Sequence, residues 1–237
     1  MDKEENLQSK RYWDKKWSSI FDGYQKDLRH GHYVAALADG RGRRFLELGA
    51  GSFRDTAYLR GLGFEVLGID FSENSCSLAR SAFPHLTDSI ICGDAFKTEL
   101  PEFSVDVSFS KGFLGCFGDA EISSILLEQR RVTSKLIMAT VHNSHNKKFL
   151  DYFKSRAEAD SLYSLRFFAV DEIEHAFRSV GLKPQVFTVG KAYVSGEDVL
   201  IAEGAPLSLI RDAIVSQGPV ALEISEYLMV VADVEAV

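Results

Sequence analysis

Tryptophan, cysteine and proline are scarce in this chain, at two, three and five residues among 237. The cysteines, Cys76, Cys92 and Cys116, are scattered, with no Cys-x-x-Cys and no histidine partner at ligand spacing. That pattern argues against a zinc site and a disulfide framework, and the three thiols read as small buried hydrophobes. No apolar run is long enough to span a bilayer, and Met1-Asp2-Lys3-Glu4-Glu5 lacks the apolar core of a signal peptide. The expectation is a cytoplasmic protein with no membrane contact. Positive charge is in deficit: 27 Lys and Arg face 34 Asp and Glu, a net charge of −7. Nucleic-acid binders need a basic footprint to neutralise phosphates, so no nucleic-acid partner is expected. Lys10, Arg11, Lys15 and Lys16 form a local basic cluster that reads as a solvated helix face. There is no internal repeat and no low-complexity tract, and the length suits one α/β domain with a full core.

What the chain does have is a glycine turn set between a strand and a helix. Phe45-Leu46-Glu47-Leu48 is a short apolar strand, Gly49-Ala50-Gly51 follows, and Ala57, Leu59 and Leu62 continue at helical spacing up to Gly63. Glycines suit a sharp turn and the close approach of a ligand, and the helix start offers free N–H groups. A second apolar run, Phe64 to Ile69, ends in Asp70, roughly twenty residues beyond the glycines, where a carboxylate can accept both hydroxyls of a ribose. Ser89 to Asp94 forms a third strand that again ends in an acid, and Val105 to Ser110 a fourth that runs into Lys111.

In these features the chain resembles the class I S-adenosylmethionine-dependent methyltransferases. Glu47-Leu48-Gly49-Ala50-Gly51, Gly68-Ile69-Asp70, Gly93-Asp94-Ala95 and Val105-Asp106-Val107-Ser108-Phe109 look like that family's four motifs, in order, across residues 43–142. The resemblance implies a doubly wound, mostly parallel α/β sheet of seven strands with an antiparallel last strand. It also implies S-adenosylmethionine as cofactor. Gly49 and Gly51 would pass under its methionine part, Asp70 would bind the ribose and Asp94 with Ala95 would lie along the adenine, with Glu47 and Ala50 also among the cofactor-binding residues; Phe71, directly after Asp70, is placed either against the adenine or in the core. Lys111 would meet the cofactor carboxylate or a substrate anion. The chain departs from the family at Phe53, where a third glycine is usual; the ring either packs behind the turn or narrows the pocket. Arg54-Asp55-Thr56 resembles a variant found in small-molecule members. A Glu-His pair common in relatives is replaced by Gly115-Cys116.

Ahead of the first strand, residues 8–22 and 27–39 carry aromatic and apolar residues at helical spacing. Residues 1–42 are expected to form a helical lid, with Tyr12, Trp13 and Trp17 over the cofactor or over the sheet. His30 and His32 are read as loop histidines. Residues 43–196 form the core, 197–225 an insertion with a short strand at Val199–Ala202 and a helix near Leu207–Val215, and 226–237 the last strand. His142 follows the fifth strand at the ligand-binding edge. As an imidazole it is the candidate general base. Aromatic residues between Phe149 and Phe168 are placed either to wall an acceptor or to pack in the core. The expected function is methyl transfer to an oxygen or nitrogen of a small-molecule acceptor, by a monomer or homodimer. Three alternatives stand beside it: a degenerate family member with an interaction role, a protein or RNA methyltransferase, and a nicotinamide-dependent oxidoreductase. The last needs a third glycine where Arg54 stands.

Overall fold

The computed structural model describes residues 9–191 and 196–234. The outer parts of the expected lid and last-strand ranges, and the end of the core range, lie outside the described residues. Two helices come first, α1 (Lys10–Tyr24) and α2 (Arg29–Ala38). The strands are β1 (Arg44–Leu48), β2 (Glu65–Asp70), β3 (Ile90–Cys92), β4 (Val105–Lys111), β5 (Thr133–Asn143), β6 (Phe167–Phe168), β7 (Lys183–Val189) and β8 (Tyr227–Asp233). Between them run α3 (Arg54–Gly61), α4 (Glu73–Ala82), α5 (Asp119–Val132), α6 (Lys147–Ala157), α7 (Val170–Ser179), α8 (Glu197–Ala202) and α9 (Leu207–Gln217).

The sheet order is β3-β2-β1-β4-β5-β8-β7, with β6 paired to β5 off that path. β1 through β5 are mutually parallel and β8 runs antiparallel to both neighbours, the arrangement that the motif order implies. The sheet stays continuous because its strands are apolar on both faces, as a doubly covered sheet requires. Phe45, Val107, Phe109 and Met138 face α2, α3 and α9. Ile137, Ala139, Val141 and Leu228 face α5 and α7. The strand order reverses between β1 and β4, which opens a crevice at their carboxyl ends.

Three local expectations are corrected. Val199–Ala202 lies in the helix α8, not in a strand; a four-residue apolar run does not distinguish the two, and Glu197 and Asp198 favour a helix start. His30 and His32 both lie on α2 rather than in a loop, and His30 is buried. Of the cysteines only Cys76 is buried; Cys92 is exposed at the end of the short edge strand β3. Ser72 caps α4, accepting the Ser75 N–H at 3.1 Å. Among the described residues no helix is long and apolar enough to cross a membrane.

Candidate active site

The crevice is a cavity of about 950 Å³ roofed by α1 and by the segment from α6 to Leu165. That volume lies at the upper end of ordinary ligand sites. It has two chemically distinct ends, one built on the glycine turn and one on aromatic rings.

At the first end, Gly49 and Gly51 adopt φ values of +63° and +53°, which only glycine takes at little cost. The space a Cβ would fill is contacted by the rings of Phe113, at 2.3 Å from the Gly49 position, and Trp17, at 2.2 Å from the Gly51 position. Close approach is thus required here, and in this structure it is made by side chains that also line the cavity. Asp70 accepts the N–H groups of Gly51 at 2.8 Å and Ser72 at 2.9 Å. Burial nevertheless pushes its carboxyl up to about 6. Glu47 accepts from the Thr56 N–H at 2.9 Å and the Thr56 hydroxyl at 2.5 Å, and burial beside Asp55 pushes it up to about 8. Asp94 accepts the Phe96 N–H at 2.8 Å, and Phe71, Ala95 and Ala50 line the same end.

Phe53 occupies the place of the usual third glycine with φ +53° and is fully buried. A Cβ on Gly68 of β2 would meet the Phe53 ring at 2.7 Å, so the ring is packed behind the turn. It does not line the cavity.

Arg54 and Asp55 are the residues that sequence reasoning undervalued. Arg54 is buried, donates to the Tyr24 carbonyl at 2.6 Å and lines the cavity. Asp55 shares a hydrogen bond with His30 Nδ1 at 2.8 Å, and His30 Nε2 meets the Thr140 hydroxyl at 2.8 Å. His30 and Arg54 hold the Asp55 carboxyl down at about 2. Its second oxygen, Oδ1, is buried with no hydrogen-bond partner although the residue lines the cavity. Asp27, at the α1–α2 junction, also lines it, and Arg29 clamps that carboxylate at 3.0 and 2.9 Å. The Arg-Asp-Thr run next to the glycines was a signal for the first two; nothing local marks Asp27.

At the second end, Lys111 and His142 project from the carboxyl ends of β4 and β5, and both line the cavity. The Lys111 ammonium lies 5.3 Å from the centre of the Tyr227 ring, and burial pushes its pKa down to about 8. The His142 ring is surrounded by Phe153 at 5.0 Å, Phe167 at 5.0 Å, Tyr227 at 5.3 Å and Phe149 at 5.9 Å between centroids. Burial, with Lys111 nearby, lowers its pKa to about 3. Burial thus moves this ring away from the near-neutral titration expected of a free imidazole, toward the neutral form.

Tyr12 is a correction. It does not line the cavity; its ring is buried edge-on against Trp13 at 5.2 Å. Helical spacing turns Trp13, Trp17 and Tyr24 toward the cavity instead. The remaining expected positions, Gly49, Ala50, Gly51, Glu47, Asp70, Phe71, Asp94, Ala95 and Lys111, all line one cavity with His142.

Residues 46–136 match the family model described as a methyltransferase domain. No curated protein matches the sequence at significant similarity. Among solved structures, a Haloferax volcanii protein in complex with the Trm112 methyltransferase activator is similar with a TM-score of 0.66 and 19% identity, covering 94% of this chain and 98% of that one. A Thermotoga maritima SAM-dependent methyltransferase matches with a TM-score of 0.62 and 14% identity, over 93% and 96% of the two chains. Geranyl diphosphate C-methyltransferase of Streptomyces coelicolor, solved with S-adenosyl-L-homocysteine, matches with a TM-score of 0.60 and 12% identity, over 87% and 78%. At these identities the likeness is one of fold.

Proposed function

We propose that this chain, a class I S-adenosylmethionine-dependent methyltransferase by domain and fold, moves a methyl group to an oxygen or nitrogen of a small-molecule acceptor. The observation that carries this reading is the division of one cavity into a polar glycine-turn end and an aromatic end, meeting at Lys111 and His142.

The residues present fit the cofactor. Asp55 Oδ1, buried without a hydrogen bond and with only the Arg54 Nε beside it at 3.7 Å, and the positive-φ turn at Gly49 and Gly51 suit a bound amino-acid moiety. Asp55 and Glu47 are the groups to receive its ammonium, and Arg54 and Lys111 the cations to receive its carboxylate. Asp70 is the acceptor for a ribose diol, with Phe71 and Ala95 beside the base. When bound, S-adenosylmethionine supplies an electrophilic methyl group on a sulfonium. The protein's part is mainly alignment, because in-line displacement depends on holding donor and acceptor in near-attack geometry. Exclusion of water is the second part: Lys16 of α1 reaches Asp160 at 2.6 Å across the cavity rim, tying the lid helix to the segment after α6. That closure supports a small acceptor over a macromolecular one.

Calorimetric titration with S-adenosylmethionine and S-adenosylhomocysteine, alongside Asp70→Ala, tests the reading. Micromolar binding that the variant loses is expected. A folded protein that binds neither ligand would move the assignment to a degenerate member with an interaction role.

A further inference from the structure

His30 sits on α2, outside the cavity lining, and is 1% exposed. Both of its ring nitrogens are used, and by side chains from two other elements. Nδ1 meets Asp55 Oδ2 of α3 at 2.8 Å, and Nε2 meets the Thr140 hydroxyl of β5 at 2.8 Å. A histidine that does not touch the ligand space therefore grips a carboxylate that does.

The order of protons along this row follows from its partners. An ionised carboxylate only accepts, so Nδ1 carries a proton and donates it to Asp55. Burial lowers the pKa of His30 against the pull of Asp55, so the ring is neutral and Nε2 holds a lone pair. The Thr140 hydroxyl donates to it; Met229 Sδ, also 2.8 Å from that hydroxyl, is the weaker acceptor. Through this bond β5 fixes the tautomer that α2 presents to α3.

The consequence is a division between two neighbouring acids of the glycine-turn end, Glu47 and Asp55. Glu47 Oε2 accepts from the N–H and hydroxyl of Thr56, and burial beside Asp55 pushes its carboxyl up to about 8. Asp55 moves the other way, to about 2, because its burial is outweighed by His30 and then by Arg54. Near neutrality the negative charge of the pair is on Asp55. With Oδ2 given to His30, the oxygen left is Oδ1, buried and without a hydrogen bond. Arg54 Nε stands 3.7 Å from it, while that guanidinium donates to the Tyr24 carbonyl at 2.6 Å. An ionised oxygen with free lone pairs suits a cationic N–H donor.

We propose that His30 is a positioning residue for the cofactor: it keeps the charge on Asp55 with one carboxylate oxygen uncommitted, and so makes the site select ligands with an ammonium group on the methionine part. This deepens the methyl-transfer reading and rests on its assignment of the cofactor. Arg54 of α3 and Lys111 of β4 face the same carboxylate and repel an ammonium, so the selection holds only while Asp55 is ionised.

The test is calorimetry at neutral pH on the full chain with two probes. One is S-adenosylhomocysteine; the other is its deaminated analogue, 5′-S-(3-carboxypropyl)-5′-thioadenosine, which keeps the base, ribose, sulfur and carboxylate. The unaltered chain is expected to prefer S-adenosylhomocysteine by about thirty-fold, the scale of a charged hydrogen bond. His30→Leu and His30→Asn have nearly the same shape and leave the same gap beside Thr140, so their packing cost is shared. Only the asparagine amide offers Asp55 a donor. His30→Asn is expected to stay within about three-fold of the parent preference, and His30→Leu to reduce that preference to about three-fold or less. A purely structural role would weaken both probes alike and leave their ratio unmoved. The proposal is overturned if the unaltered chain binds the two probes equally, if His30→Leu keeps the preference, or if both variants lose it alike. Isotope-edited NMR of the unaltered chain, labelled at the histidine ring nitrogens, gives a second reading that needs no substitution. A histidine Nδ1–H resonance that moves with S-adenosylhomocysteine and stays with the analogue is expected, and its absence overturns the proposal. A folded chain that binds neither probe strikes the cofactor assignment itself, and the proposal falls with it; in every other failure S-adenosylhomocysteine still binds, which tells the two apart.

Discussion

Asp70 Oδ2 accepts the backbone N–H of Gly51 at 2.8 Å, so the acid at the end of β2 holds the turn that leaves β1. Its carboxyl is raised to about 6, chiefly by burial, with Asp14 adding and the Gly51 and Ser72 amides opposing. A raised acid contributes stability that is full below its unfolded pKa, near 4, and is lost as pH rises through about 6. Ligand binding carries the opposite sign, because a ribose diol donates to the ionised form. S-adenosylhomocysteine affinity is expected to fall as the solution is acidified through about pH 6, and Asp70→Asn to bind weakly with a flat profile. Calorimetry across that range checks both.

His142 shifts in the other direction. Its pKa of about 3 lies below the unfolded value near 6.5, so the neutral ring contributes stability above the unfolded pKa that is lost as pH falls toward 3. His142→Phe is expected to lose less stability than the parent between about pH 6 and pH 4, as measured by denaturant midpoints. The pH–rate profile of the parent should show no limb near 6.5 that His142→Phe removes.

Phe53 holds a left-handed conformation that costs about 1 kcal/mol for a residue with a Cβ, offset by full burial of the ring. Phe53→Ala is expected to destabilise by about 3–5 kcal/mol. Phe53→Gly recovers about 1 kcal/mol of that, because glycine tolerates the turn. Neither change should alter cofactor affinity by more than a few-fold in variants kept below their melting temperature, since the ring lies behind the turn.

Both tryptophans of the chain, Trp13 and Trp17, line the cavity, and they stack at 5.8 Å with an interplanar angle of 26°. Tryptophan emission is therefore expected to report cofactor binding directly, with Trp17→Phe removing most of the signal because Trp17 is the ring against Gly51. Gly51→Ala should abolish binding: the added Cβ would stand 2.2 Å from Trp17 at a φ of +53°.

Arg29 joins the start of α2 to Asp198 of α8 at 2.9 Å and to Glu226, just before β8, at 3.1 Å, while clamping Asp27 at the cavity. Arg29→Met is expected to cost about 3 kcal/mol, as for other broken buried ion pairs. It should also weaken cofactor binding by freeing Asp27. Chemical denaturation and the fluorescence titration separate the two effects.

The sequence by itself determined the strand–turn–helix unit at Phe45 to Leu62 and the acid ending β2, while the antiparallel last strand was implied only by the resemblance to the family. The first two are written in local chemistry: apolar runs, glycines at positive φ, and a carboxylate at a fixed distance along the chain. It also determined which residues gather at one edge of the sheet, because parallel strands present their carboxyl ends together. Tertiary structure alone decided the rest. Whether Phe53 blocks the cavity depends on Gly68 of a different strand, which leaves room for the ring behind the turn. Whether Tyr12 or Trp13 faces the cavity depends on how α1 rotates against α4, which is fixed by Asp14 accepting from Ser72 at 2.7 Å. Whether His142 carries charge depends on four rings brought from α6, β6 and β8. Burial and long-range pairing set a side chain's electrostatics, and neither is a property of its neighbours in sequence.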